Sequence, residues 1–165
     1  MKKLMELKKR KKNNKGFSLV ELIIVIAIMA VLVAVLAPQF LKYVEKSRNS
    51  SDLNNISSII TAAQTYYIDP DNTTAWPTSI AFTVAAKDTK EPVAPLLTAL
   101  TNAGLTPANI TCKSKTAWTA YTITFKPNST TNTLDVEVAL TGASEDALNT
   151  AQTSIGSMAT VTASK

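Results

Sequence analysis

Lys15-Gly16-Phe17-Ser18-Leu19-Val20-Glu21, continued by Leu22-Ile23-Ile24-Val25-Ile26-Ala27-Ile28-Met29-Ala30-Val31-Leu32-Val33-Ala34-Val35-Leu36-Ala37 and closed by Pro38, is the stretch on which the reading of this chain turns. From residue 17 to residue 37 every side chain except Ser18 and Glu21 is apolar. At about 1.5 Å per helical residue the run covers roughly 30 Å, the thickness of a bilayer core. One carboxylate, Glu21, lies where hydrocarbon tolerates none.

Outward toward the N-terminus, residues 1–16 carry eight Lys/Arg and a single acid, Glu6, for a charge of about +7. The remainder of the chain sums to about −2, and together they give the net +5. The basicity belongs to a leader, short and without an apolar core, which suits the cytoplasmic flank of a membrane segment. An ordinary secretory signal has a shorter apolar run closed by a small-x-small cleavage site; here Pro38-Gln39-Phe40-Leu41-Lys42 follows instead. A plain single-pass anchor leaves Glu21 unexplained, because an isolated carboxylate in an apolar layer must protonate or find a partner at the same depth. A cut after Gly16 would create an amine at Phe17, four residues from Glu21, and a neighbouring copy could present it.

The order Lys15-Gly16-Phe17-Ser18-Leu19-Val20-Glu21 resembles the type IV prepilin processing site: basic leader, Gly before the cut, Phe at the new N-terminus and Glu at the fifth mature position. The resemblance covers about the first forty residues. It implies that a prepilin peptidase/methyltransferase cuts between Gly16 and Phe17 and N-methylates Phe17, after which the subunit waits in the membrane and an inner-membrane assembly platform draws it into a helical homopolymer. Phe17 and Glu21 would make the assembly contact, and Leu22, Ile23, Ile24, Val25, Ile26, Ile28, Val31, Leu32 and Val35 would form the filament core. Pro38 sits where pilins commonly carry a helix-bending proline; it lacks an N–H and crowds the Ala34 carbonyl.

Beyond Pro38 the apolar positions narrow to one face. Leu53, Ile56, Ile60, Ala63 and Tyr67 recur at spacings of three and four, flanked by Ile59 and Tyr66, while Arg48, Asn49, Ser51, Asp52, Asn55 and Ser58 form the polar side. The helix is expected to run as a half-buried spine to about Tyr67, where Asp69-Pro70-Asp71-Asn72 stops it. Lys42, Lys46 and Arg48 suit lipid headgroups, acidic groups of neighbours or solvent.

The head that follows is rich in Thr, Ser, Ala and Asn. Ile80, Phe82 and Val84 alternate as a short strand; residues 92–103 suggest a helix packing through Leu96, Leu97 and Leu100 and ended by Gly104. Tyr121, Ile123 and Phe125, a turn over residues 127–132, and Leu134, Val136, Val138 and Leu140 predict a hairpin with one face buried. Ser144 caps a further helix, and the tail through Ile155, Met158 and Val161 supplies a last strand. The fold class is α+β: a long N-terminal helix, hydrophobic then amphipathic, on a small antiparallel sheet. The expected domains are a cleaved leader 1–16, a transmembrane and filament-core helix 17–38, and a head 39–165. Many pilins close the C-terminal region with a disulfide; Cys112 is the only cysteine, so packing must do this, as in the disulfide-free pilins of Gram-positive bacteria.

Composition removes several functions. With no His and one Cys, a His-based acid/base or zinc site cannot be built, and an intrachain disulfide is impossible. Cys112 is read as a partly buried strand thiol. The body retains no basic stripe with interleaved aromatics, which argues against nucleic acid. No nucleophile-plus-base set or phosphate loop is found, so no catalytic residue, cofactor or metal is assigned. Asp69-Pro70-Asp71-Asn72-Thr73 resembles the start of a calcium loop but lacks its glycine and distal Glu, and is read as a turn. Asp135 and Glu137 share a strand face and are read as solvated. The Asn-x-Ser/Thr sequences at Asn49, Asn55, Asn72, Asn109 and Asn128 are what a polar surface produces, and Trp76, Trp118, Tyr66 and Tyr67 are read as core or subunit contacts. The expected function is a structural pilus subunit, membrane-held before assembly and extracellular afterwards, serving adhesion, twitching motility or biofilm. The alternative is a pseudopilin of a type II secretion or DNA-uptake system.

Overall fold

A computed structural model describes residues 16–87 and 89–164. The leader expected at residues 1–16 lies, apart from Gly16, outside the described residues. The chain divides into two compact units, Met1–Leu41 and Lys42–Lys165. Helix α1, Leu19–Ile68, is 50 residues long and contains Pro38. Its residues up to Leu41 are all exposed, and this part is long and apolar enough to cross a membrane by length and composition.

In the second unit, α1 buries Asp52, Leu53, Ile56, Ile59, Ile60, Ala62 and Ala63. The stop expected near Tyr67 falls at Ile68, and the following turn is tied by its own side chains. Asp71 N donates to Asp69 Oδ1 at 3.0 Å and Asn72 Nδ2 to the Tyr66 carbonyl at 2.7 Å. Asp69 and Asn72 thus serve the turn, as Asx residues do.

The sheet comprises β1 (Ile80–Ala85), β2 (Ala120–Asn128), β3 (Thr133–Thr141) and β4 (Thr160–Ser164), in that spatial order. The first three are antiparallel, with Phe82 opposite Ile123 and Ile123 opposite Val138. Their alternate residues form one buried face that joins Ile56, Ile59, Ile60 and Ala63 in a single core. Cross-strand pairs of this kind fix register, since a slip by one residue would turn the apolar set outward.

Four expectations are corrected in detail. The sheet is mixed rather than antiparallel, because β4 pairs parallel with β3; helix α3 (Glu145–Ile155) between them provides the crossover that a parallel pair requires. Ile155 ends that helix and Met158 lies in a 3-10 turn, so neither belongs to the last strand. The helix expected over residues 92–103 is only α2, Leu96–Asn102. It starts late because Pro95 is tolerated only at a helix start and disfavours the helical conformation at Ala94; its buried face is Leu96, Ala99 and Leu100, with Leu97 half-exposed. Gly104 closes it at φ +75°: its N–H reaches Thr101 and that of Leu105 reaches the Leu100 carbonyl at 2.8 Å, the Schellman pattern. Pro127 and Asn128 belong to β2, and the hairpin turn is residues 129–132, held by Asn128 Oδ1 accepting from Thr130 and Thr131. Ser144 caps α3 as expected, accepting from Ala147 N at 3.3 Å.

Candidate functional site

Two places carry functional geometry, one in each unit. In the first, Gly16, Phe17 and Ser18 precede the helix. Phe17 is 85 % exposed. Among the described residues a Cβ built on Gly16 would meet nothing within 4 Å, so packing against them does not require glycine there. Ser18 N donates to Glu21 Oε2 at 2.9 Å. Glu21 therefore occupies the third helical position and reaches back to the residue before the helix, the acidic half of a capping box. This satisfies one of the orphan N–H groups at the helix start. The Ser18-x-x-Glu21 spacing was the available signal for this contact. From Leu22 through Val35, including Ile23, Ile24, Val25, Ile26, Ile28, Val31 and Leu32, every residue is exposed.

The second place was not foreseen. Asp52, placed on the solvated side from its polarity, is fully buried. Its Oδ1 accepts from Lys113 N at 2.8 Å. Its Oδ2 accepts from Ser114 N at 2.9 Å, Trp118 Nε1 at 3.1 Å and Cys112 Sγ at 3.5 Å. Two turns earlier on the same helix face, Glu45 Oε1 accepts from Lys115 N at 2.6 Å, Thr116 N at 2.8 Å and Ser114 Oγ at 3.2 Å. Glu45 Oε2 pairs with Arg48 at 3.2 Å. Ser114 Oγ in turn accepts from Ala117 N and Trp118 N. In the irregular segment 112–118 the N–H groups of residues 113–116 are thus satisfied by two carboxylates of α1, those of Ala117 and Trp118 by Ser114 Oγ and that of Cys112 by the Ala85 carbonyl, which is what keeps a buried loop from costing free energy.

The electrostatics follow from this geometry. Burial works to raise the Glu45 pKa, but the Lys115 and Thr116 N–H groups and Arg48 outweigh it and hold the carboxyl at about 2. Burial, reinforced by the Asp52 charge, pushes the Cys112 thiol up to about 12; Cys112 is a protonated donor here, not a thiolate nucleophile. It lies in the irregular segment rather than in a strand. Burial and Asp52 likewise raise the neighbouring Tyr121 hydroxyl. A signal for the clamp existed: positions 45, 49, 52, 56, 59 and 63 continue one three-four stripe, so spacing alone puts Asp52 on the buried side.

The remaining candidates divide between surface pairs and core aromatics. Glu137 pairs with Lys126 at 2.8 Å and Asp135 with Asn128 at 3.1 Å, both exposed. Trp118 is buried in the core. Trp76 packs edge-on to Tyr67 and Phe125. Among the described residues no group of three or more His, Cys, Asp or Glu could hold a metal ion.

With this geometry in place, residues 11–37 match the family described as the prokaryotic N-terminal methylation motif. The chain therefore carries the type IV prepilin-like signature, on a long apolar helix that fits a membrane-anchored precursor and an α+β body of pilin type. No curated protein and no solved structure matches the chain.

Proposed function

We propose that the chain is a structural subunit of a type IV pilus. It is cut between Gly16 and Phe17 by a prepilin peptidase, methylated on the Phe17 amine, held in the cytoplasmic membrane by residues 17–38 and then polymerised through that helix, leaving the head on the filament surface for adhesion or motility. The observation that carries this reading is the fully exposed apolar run that begins at the methylation motif. Such a surface needs lipid or other copies to cover it, and the motif supplies a reason for exchanging one cover for the other.

Two local features support the details. Gly16 is small although no described residue lies within 4 Å of a Cβ built there, which supports a processing enzyme as the source of the demand for a small residue. Glu21 already turns its carboxylate toward Ser18, the end of the helix at which the new Phe17 amine would appear. In the filament a neighbouring subunit's amine would take up that carboxylate and set axial register, with both charges paired in a dry environment. Leu22, Ile23, Ile24, Val25, Ile26, Ile28, Val31, Leu32 and Val35 would pack the filament core, and Pro38 would bend the helix where it leaves that core.

The test is the N-terminus of the mature chain together with electron microscopy of a strain lacking it. Phe17 bearing a methyl group, and loss of surface filaments on deletion, are expected. An intact leader sinks the processing step. Loss of secretion or DNA uptake with filaments unchanged would assign the chain to a pseudopilin instead.

A further inference from the structure

The clamp that fixes segment 112–118 also decides which way its side chains face. Asp52 and Glu45 draw the backbone N–H groups of Lys113, Ser114, Lys115 and Thr116 inward. Cys112 and Ser114 are buried, while Lys113 and Lys115 stay exposed. Lys115 is thereby brought to the turn of α1 that carries Glu45, flanked on the helix by the exposed Lys42 and Lys46. The two acids of this region spend their oxygens on the loop and on Arg48. Among the described residues none of these lysines takes part in an ion pair. Because the chain beyond residue 16 carries a net charge of about −2, this cationic cluster is a local feature against an acidic background.

We propose that Lys42, Lys46 and Lys115 form a cationic collar that binds anionic phospholipid headgroups while the chain is held in the membrane. The inference rests on the reading of residues 17–37 as a bilayer-spanning segment. Lys42 follows the apolar run by five residues and Glu45, which holds Lys115, by eight. Those intervals are about 7 and 12 Å of helix, within side-chain reach of the polar layer that flanks a bilayer core. Lys113, held by Asp52, lies a further two turns along and is a built-in ruler: it should feel the surface less, because the attraction fades within about a Debye length. The collar would engage the headgroups before assembly and would be given up when the subunit leaves the lipid.

The experiment uses the full chain, one copy per nanodisc, in zwitterionic phosphatidylcholine or in discs containing anionic phosphatidylglycerol, with lysine acylation rates read by mass spectrometry. Lys42, Lys46 and Lys115 should react at least about threefold more slowly in the anionic discs, Lys113 less so, and Lys126, far along β2, equally in both. About 0.5 M salt should abolish the difference. Equal rates in the two lipids overturn the proposal. So does slowing that needs two copies per disc and ignores lipid charge, which would assign the collar to acidic groups of another subunit. If residues 17–37 exchange their amide hydrogens freely in the discs, the spanning reading itself has failed, a result distinct from equal lysine rates in a protected helix.

Discussion

The two halves of α1 use the same secondary structure for opposite ends. Residues 19–41 are almost wholly apolar and wholly exposed, whereas residues 42–68 mix Ser, Asn and charged side chains with seven buried positions. Apolarity alone therefore does not mark the core of this chain. The second half is buried because its apolar stripe meets a matching sheet face in the same polypeptide; the first half meets no such face among the described residues of its own unit and stays exposed. The deepest polar group sits in the less apolar half, where Asp52 and Glu45 replace the orphan hydrogen bonds of a loop.

The sharpest break between the halves should come from their acids. Glu21→Ala is expected to abolish filament formation while leaving the leader cut and the melting temperature of the head unchanged, checked by microscopy, mass spectrometry and a thermal melt in detergent. Filaments at normal yield would remove Glu21 from assembly. Asp52→Ala is expected to destabilise the head by about 3–5 kcal/mol, because it strands buried donors that include Trp118 Nε1. Denaturant unfolding followed by tryptophan fluorescence measures it, and a loss under about 1 kcal/mol would mean that water replaces the carboxylate.

Paired truncations sharpen the contrast. Ile59→Ala, at a fully buried site, should cost the head about 2–5 kcal/mol, and Ile26→Ala, at an exposed one, should leave head unfolding unchanged. A smaller effect is expected from Glu45. Its pKa is lowered from 4.5 to about 2, so its contribution to stability is fully present above about pH 4.5 and is lost as pH falls toward 2. Glu45→Gln should flatten that part of a stability-against-pH curve; an unchanged acid limb would exclude the clamp as its source. The smallest effect belongs to the exposed Lys126–Glu137 pair, where Lys126→Ala should change unfolding free energy by about 0–1 kcal/mol.

Much of this was readable before the coordinates. The hairpin strands, the Ser144 cap, the helix stop at Asp69 and the apolar segment with its processing motif all rest on local periodicity or on side chains that bond within a few residues. The places where reading failed share a different cause. The charge of Asp52 points to solvent, whereas the stripe through Leu53, Ile56 and Ile59 puts it inward, where it is buried. Strand alternation carries no direction, so the parallel pairing of β3 with β4 is legible only from the helix that Ser144 opens between them, the crossover a parallel pair requires.

By itself the sequence determined a basic N-terminal stretch, an apolar helix with one carboxylate near its start, and an amphipathic continuation followed by a β-rich head. These depend on composition and on spacing along one element. Only the tertiary structure decided that Glu45 and Asp52 clasp residues 60 to 71 positions away, that Cys112 is a buried donor, and that Lys115 is brought to the helix turn of Glu45. The physical reason is that a buried carboxylate is stable only where distant backbone N–H groups converge on it, and such convergence exists once the chain has folded and not before.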